Sequence, residues 1–312
     1  MARVLITEKI ADSGIERLRE AGHDVDVKLN LSEEALLAEV RDADAVIIRS
    51  ATTITKEVIK NGEKLLVIGR AGIGLDNVDV NAATEQGVMV VNAPKSNILS
   101  AAEHTIALIL AQARNIPQAN SALKSGRWER NEWTGVELAD KTLGIIGLGR
   151  IGKLVAQRAL AFGMNLVAYD PFVATERARQ LSVQLMSLEE LIQVSDFLTI
   201  HVAKTPETEN LINAELLSLA KPSLRIINVA RGGIVNEVDL AEAVTAGKIA
   251  GAAIDVFENE PVTESPLFSL PQIVVTPHLG ASTTEAQDKA GESIAEQVEL
   301  ALLGDFVPHA VN

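Results

Sequence analysis

Along the first hundred residues, short β-branched and aliphatic runs alternate with segments whose apolar positions recur at helical spacing. RVLIT (3–7), DVDVK (24–28), AVIIRS (45–50), LLVIGR (65–70) and VMVVN (88–92) read as strands. Between them, ADSGIERLREAG (11–22) runs to a glycine stop, and LSEEALLAEV (31–40) opens with a serine cap and an acidic first turn. Strands alternating with helices predict βαβ units on a parallel sheet. SAAEHTIALILAQARN (100–115) is apolar on most sides, which predicts a helix buried between other elements. The stretch 116–141 is less periodic, holds both tryptophans and reads as a loop-rich excursion.

A second βα series begins at TLGIIG (142–147). Its further strands are NLVAY (165–169), FLTI (197–200), LRIINV (224–229), IAGAAI (249–254) and IVVTP (273–277). The last helical pattern, 283–304, has no strand after it, so we expect it to fold back onto the first lobe. The prediction is an α/β chain with two parallel-sheet lobes. A length of 312 residues also exceeds one ordinary domain of about 100–150 residues.

Composition narrows the chemistry. Hydrophobic residues make up 47%, which rules out wholesale disorder, while aromatics are only 3%, so the cores must be aliphatic. The absence of cysteine excludes disulfides, iron–sulfur ligation and thiol nucleophiles, and suits a reducing cytoplasm. The histidines lack metal-ligand spacing, so no metal is expected. A net charge of −14 opposes nucleic acid and anionic membrane surfaces. ARVLITEKI after Met1 reads as a strand rather than a leader, and no apolar run reaches the ~18 residues of a membrane span.

KTLGIIGLGRIG contains G-x-G-x-x-G as Gly147, Gly149 and Gly152, between a strand and an amphipathic helix. That context is what a dinucleotide site needs. The first glycine makes the tight turn, the second admits a pyrophosphate, the third lets helix and strand pack closely, and the helix N-terminus faces the phosphates. Asp170 ends the next strand, about 20 residues on, where a carboxylate accepts from ribose hydroxyls and repels a 2′-phosphate. NAD is therefore expected over NADP.

Arg231 in NVARGGIVNE, Glu260 in DVFENEP and His278 in TPHLGAS each follow a strand of the second series. Open α/β sheets bind ligands at those strand ends. The set suits alcohol oxidation: histidine as base, a carboxylate to hold its tautomer, and a planar arginine for a substrate carboxylate. Spacing alone leaves a second reading open, with surface Arg and Glu and a turn histidine. His104, in an Ala/Ile/Leu helix, reads as a satisfied helix residue, and His201 as lining the cofactor side. Asp76 and Asp79 read as turn and helix caps.

These stretches, together with RAGIGLDNVD (70–79), resemble the D-2-hydroxyacid dehydrogenase family over essentially the whole chain. The resemblance implies a Rossmann cofactor lobe, residues 99–282, inserted into a flavodoxin-like substrate lobe made of 1–98 and 283–312. It implies Arg231 as substrate anchor, Glu260 as the orienting acid and His278 as acid/base. Its implied cofactor contacts are Arg150, Ile151, Asp170, Val202, Ala230, Arg231, Asp255, His278 and Gly280. Backbone groups at Ile73 and Gly74 are implied to bind the substrate acid. Many relatives have proline two residues after the histidine that follows FLTI, as H-x-P; after His201 this chain has Ala203.

Within the family, RSATT, SAAEH, WER and HLGAST point to members acting on a phosphorylated three-carbon acid. Such a small anionic substrate needs local cations on a chain this acidic. Arg49 is expected to act within its own subunit. In such members the segment around 116–141 forms a dimer interface, so Arg130 is expected to reach the neighbour's site in a homodimer. The alternatives are an unphosphorylated D-2-hydroxy acid, or a non-enzymatic NAD-sensing scaffold.

Overall fold

The computed structural model describes residues 1–312. They form two compact units, one of Met1–Asn97 with Ala281–Asn312, the other of Ile98–Gly280. No helix is long and apolar enough to cross a membrane.

Unit 1 is a five-stranded parallel sheet. Its strands are β1 (Arg3–Ile6), β2 (Asp24–Val27), β3 (Ala45–Ile48), β4 (Val67–Arg70) and β5 (Met89–Asn92), in the order β2-β1-β3-β4-β5. Alternate residues leave the sheet on opposite faces. Leu5, Val46, Ile48, Ile68 and Val90 pack under α2 (Glu33–Val40), α3 (Lys56–Asn61) and α4 (Val80–Glu85). Val4, Ile6, Ile47, Val67 and Val91 pack with Leu18 of α1 (Asp12–Glu20) and Ile294 and Val298 of the last helix (Thr284–Leu303). A sheet covered on both faces explains why its strands, apart from the edge strand β2, are almost continuously apolar. Ser32, Thr55, Asp79 and Thr283 cap the helices that follow them.

Unit 2 is a seven-stranded parallel sheet. It contains β6 (Thr142–Ile146), β7 (Asn165–Tyr169), β8 (Val183–Leu185), β9 (Phe197–Ile200), β10 (Arg225–Asn228), β11 (Gly251–Ile254) and β12 (Ile273–Val275), in the order β12-β11-β10-β9-β6-β7-β8. The chain winds outward from β6 to β8, then returns to build β9 to β12 on the other side. The reversal falls between β6 and β9, the kind of switch point where open sheets bind ligands. Helix α5 (Ile98–Arg114) lies on one face, packed against α7 (Arg150–Ala161), with Ala102, Leu108, Ile109 and Ala113 in the core. Its buried Gln112 donates to the carbonyls of Gln272 and Ala252.

Two elements depart from the sequence reading. The excursion at 116–141 begins as a helix, α6 (Ile116–Lys124), after Asn115 breaks from α5 with a left-handed φ of 50°. Only Ala122 of α6 is buried, so the helix carries too narrow an apolar stripe to show as a period. The edge strand β8 was also illegible, because it is three residues long and buries only Val183 fully.

Candidate active site

The glycine-rich turn has the geometry the motif requires. Gly147 takes φ = +90°, and a Cβ there would stand 2.7 Å from the His201 carbonyl oxygen. At Gly152 a Cβ would collide with the Gly147 carbonyl, so the helix comes this close to the turn only without a side chain. Around Gly149 there is open space, and the N–H groups of Gly149 and Ile151 meet no acceptor in the chain. A phosphate fits such a cradle, since donors and the positive helix end face it together. Arg150 stands exposed at the start of α7.

Asp170 follows β7 and faces this turn. Its Oδ2 accepts from the Leu148 N–H at 2.8 Å and its Oδ1 from the Phe172 N–H at 2.9 Å. The carboxylate thus braces the glycine turn while its remaining lone pairs are open to a diol. Val202 follows β9, half-buried, and the loop beyond it is closed by hydrogen bonds, with alanine at position 203. Thr208 Oγ1 donates to the Ala203 carbonyl at 2.7 Å and accepts from the Thr205 N–H at 2.8 Å. His201 Nε2 lies 2.9 Å from Thr199 Oγ1, and burial pushes its imidazole down to about 3, which keeps it neutral.

The second half of the site rises from β10, β11 and β12. Buried Asn228, at the end of β10, accepts from the Ala230 N–H at 3.0 Å and donates to the Arg231 carbonyl at 2.9 Å. The Arg231 loop is thereby held by the strand that leads into it, and Arg231 Nη1 donates to the Ala230 carbonyl at 2.7 Å. After β12 comes His278, with a left-handed φ of 53° unusual for a residue with a side chain. Its Nδ1 lies 2.6 Å from Glu260 Oε2, and Glu260 Oε1 accepts from the Phe257 N–H at 2.9 Å. Burial works to raise the Glu260 carboxyl, but hydrogen bonds from His278 and Phe257 outweigh it and hold the group below the usual carboxylate range. An ionised carboxylate only accepts, so Nδ1 carries a proton, and whenever the ring holds one proton its lone pair is on Nε2. No group of the chain bonds that Nε2.

Asp255, just beyond β11, is fully buried. Its oxygens accept from Thr276 Oγ1 at 2.5 Å, Leu279 N at 2.7 Å, Gly280 N at 2.9 Å and His104 Nε2 at 3.2 Å. The structure thus joins Asp255 and Gly280 with the His278 loop. It also adds His104 and Thr276, which the sequence reading missed. His104 sits in an apolar helix, and nothing in its local spacing points to a strand end 151 residues away.

In unit 1, Glu8 gathers the backbone N–H groups of Arg49, Ala51 and Thr52 at 2.9, 3.1 and 2.8 Å. The Arg49 guanidinium makes a single weak contact, Nη1 to the Lys9 carbonyl at 3.3 Å. The Ile73 carbonyl accepts from Asn92 at 2.8 Å, while the N–H groups of Ile73 and Gly74 donate to nothing in the chain. Arg130 is exposed in the turn after α6 and makes no hydrogen bond or ion pair with the groups of unit 2 described above.

Unit 2 therefore has the build of a dinucleotide-binding domain with an acid–base pair on the same sheet edge. Residues 106–280 match the family model "D-isomer specific 2-hydroxyacid dehydrogenase, NAD binding domain", and the chain belongs to that family. It is 54% identical over 311 residues to the D-3-phosphoglycerate dehydrogenase of Mycobacterium tuberculosis, covering 99% of this chain and 58% of that protein. It is 48% identical over 313 residues to the D-3-phosphoglycerate dehydrogenase of Methanocaldococcus jannaschii, covering 100% of this chain and 60% of that one. Among solved structures, the TT0316 protein from Thermus thermophilus superposes with a TM-score of 0.92 at 35% identity, covering 99% of this chain and 100% of that one. The chain spans about three-fifths of the length of the curated relatives it matches.

Proposed function

We propose that the protein oxidises 3-phospho-D-glycerate to 3-phosphooxypyruvate, with NAD preferred over NADP. The name shared by the two curated relatives supports the substrate. The observation that carries the chemistry is the 2.6 Å pair of His278 and Glu260, on the sheet edge that also holds the glycine turn. When bound, a nicotinamide ring supplies a two-electron hydride acceptor. His278 Nε2 takes the proton of the substrate hydroxyl as the carbonyl forms. Glu260 keeps the proton on Nδ1 and stabilises the imidazolium that results. Arg231 offers its planar fork to the substrate carboxylate and polarises the developing carbonyl. Gly147, Gly149, Gly152, Arg150 and Ile151 form the phosphate cradle, and Asp170 takes the ribose hydroxyls. Val202, Ala230, Asp255 and Gly280 complete the proposed contact set, with Asp255 acting from behind the His278 loop. In unit 1, the open N–H groups of Ile73 and Gly74 and the Arg49 guanidinium are proposed to hold anionic groups of the substrate.

A panel of 2-oxo acids tests this reading in the reductive direction, with NADH absorbance as the readout. The phosphorylated three-carbon acid should turn over with a kcat/KM well above those of hydroxypyruvate, glyoxylate and pyruvate. A preference for an unphosphorylated acid would reassign the substrate. NADH binding without turnover of any of them would make the protein a cofactor-sensing scaffold.

We further propose a homodimer built on the 116–141 segment, with Arg130 acting on the partner's substrate. The segment exposes Ile116, Leu123 and Trp128, apolar surface that a second copy would cover. Mixing Arg130→Ala with His278→Ala subunits tests it. A hybrid carries both lesions in one site and neither in the other, so activity should reappear on subunit exchange. Exchange without recovery would leave Arg130 a surface charge.

A further inference from the structure

The Asp255 carboxylate is fully buried, so it requires donors. Three of them come from the stretch around His278: the Thr276 hydroxyl and the N–H groups of Leu279 and Gly280. The Asp255 carbonyl also accepts the His278 N–H at 2.8 Å. One residue thus grips the chain on both sides of His278, where the backbone takes its left-handed φ of 53°. The fourth donor comes from outside that stretch. His104 Nε2 lies 3.2 Å from both Asp255 Oδ1 and Thr276 Oγ1. Thr276 spends its only proton on Asp255, and the carboxylate has none, so both can only accept from the ring. Nε2 therefore carries a proton shared between them. His104 is itself fixed, in the middle of α5 with only 19% of its side chain exposed. Burial works to raise the Asp255 carboxyl, yet the bonds from His104, Thr276 and Leu279 hold it below the usual range, so the acceptor stays ionised.

We infer that His104 is a positioning residue for proton transfer at His278, its Nε2–H pinning Asp255 and Thr276 so that the loop between them holds the imidazole in place. The inference rests on the proposed role of His278. It assigns His104 no contact with substrate or cofactor. Its expected mark is a lower kcat without weaker binding, because catalytic geometry is far more sensitive to small displacements than cofactor affinity is.

The test compares His104→Leu, His104→Gln and His278→Ala in the full chain. His104→Leu should lower kcat about ten- to a hundredfold, as a displacement on the order of 1 Å would. KM for the oxo acid and Kd for NADH, read by fluorescence titration, should move by less than about threefold. His104→Gln places an amide N–H near the same point and should restore most of the turnover. Amide exchange at Leu279 and Gly280 should quicken in His104→Leu and not in His104→Gln. Normal kcat in His104→Leu beside an inactive His278→Ala overturns the inference alone. Normal turnover in His278→Ala overturns the relay and the inference together. Equal loss of kcat in the Leu and Gln variants, with NADH affinity lost as well, shows that His104 only supports folding. Should His104→Leu fail to fold, Thr276→Val takes its place, because it removes one of the two acceptors that His104 bridges. It should give the same kcat loss and the same quickened exchange, and normal values of both overturn the inference.

Discussion

The two units share one architecture and differ in where they keep polar side chains. Both are parallel sheets wound on two faces, with loops at the carboxyl ends of strands. In unit 2, Thr199, Asn228 and Asp255 stand buried at or just beyond the ends of the adjacent strands β9, β10 and β11. Each one fixes the loop beyond it: Thr199 holds His201, Asn228 the Arg231 loop, and Asp255 the His278 loop. In unit 1 the corresponding loops are fixed mainly by Glu8, Asn77 and Asn92, all half-exposed, and the one buried side chain among the braces, Thr7 beyond β1, adds a single hydroxyl contact to Thr52 at 2.9 Å. Burying a polar group costs free energy unless every bond is made, so a buried brace tolerates one geometry where a surface brace tolerates several. The proton transfer proposed for unit 2 demands that single geometry. The anion binding proposed for unit 1, through N–H groups and the loosely held Arg49, does not.

The largest effect should come from the acid–base pair. His278→Ala should lose about 10²–10⁴-fold in turnover, the usual contribution of positioned proton transfer, while NADH binding measured by fluorescence stays intact. Near-normal turnover would place the chemistry elsewhere.

The contrast between braces is tested directly by truncating one in each unit. Asn228→Ala removes a buried side chain together with the partners of the Ala230 N–H and the Arg231 carbonyl, and should cost about 1–3 kcal/mol in urea unfolding together with a fall in kcat. Asn92→Ala frees only the Ile73 carbonyl at a half-exposed site, and should cost about 0.5–1.5 kcal/mol with little change in kcat. Equal losses would mean that burial is not what separates the two units.

Arg49→Ala sharpens the division of labour. The charge is held weakly, so its loss should raise KM for the phosphorylated acid, and much less for an unphosphorylated analogue, at nearly constant kcat. A fall in kcat of the same size would give unit 1 a part in the chemical step.

The smallest effect separates the units by pH. The His201 imidazole lies near 3 when folded, against 6.5 when exposed. The unfolded chain then binds the extra proton, so unit 2 loses stability as pH falls from 6.5 toward 3, by at most about 1.4 kcal/mol per pH unit. In unit 1, hydrogen bonds from Arg3 hold Asp26, and bonds from Lys28 and Arg3 hold Glu39, below their ordinary values of 3.8 and 4.5. Their stabilisation is complete above those values and is lost only as pH falls below them. Between pH 6.5 and 5, therefore, His201→Asn should flatten the pH dependence of unfolding. An unchanged slope would show that the ring titrates with solvent.

The repeated strand–helix alternation of 3–92 and 142–277 was readable because a sheet buried on both faces writes itself as short, nearly continuous apolar runs. The glycine turn was readable for a different reason. Gly147 and Gly152 answer to contacts within a single strand–turn–helix unit, so local spacing carries the whole requirement. Asp170 was legible as the acid ending the next strand, although its bond to Leu148 was not. The helix α6 and the edge strand β8 escaped because each buries one face over too few residues to set a period.

By itself, then, the sequence determined what a local period or a single βα unit can express: the parallel α/β class, the nucleotide turn and the residue types that follow each strand. Only the tertiary structure decided strand order, and with it who meets whom. Placing β9 beside β6 brings His201 under the glycine turn. Placing β12 beside β11 brings His278 to Asp255, and packing α5 on that sheet delivers His104 to the same carboxylate. Hydrogen bonds act over about 3 Å, whatever the separation along the chain, so no pattern in the residues around His104 could announce a partner set by the order of distant strands.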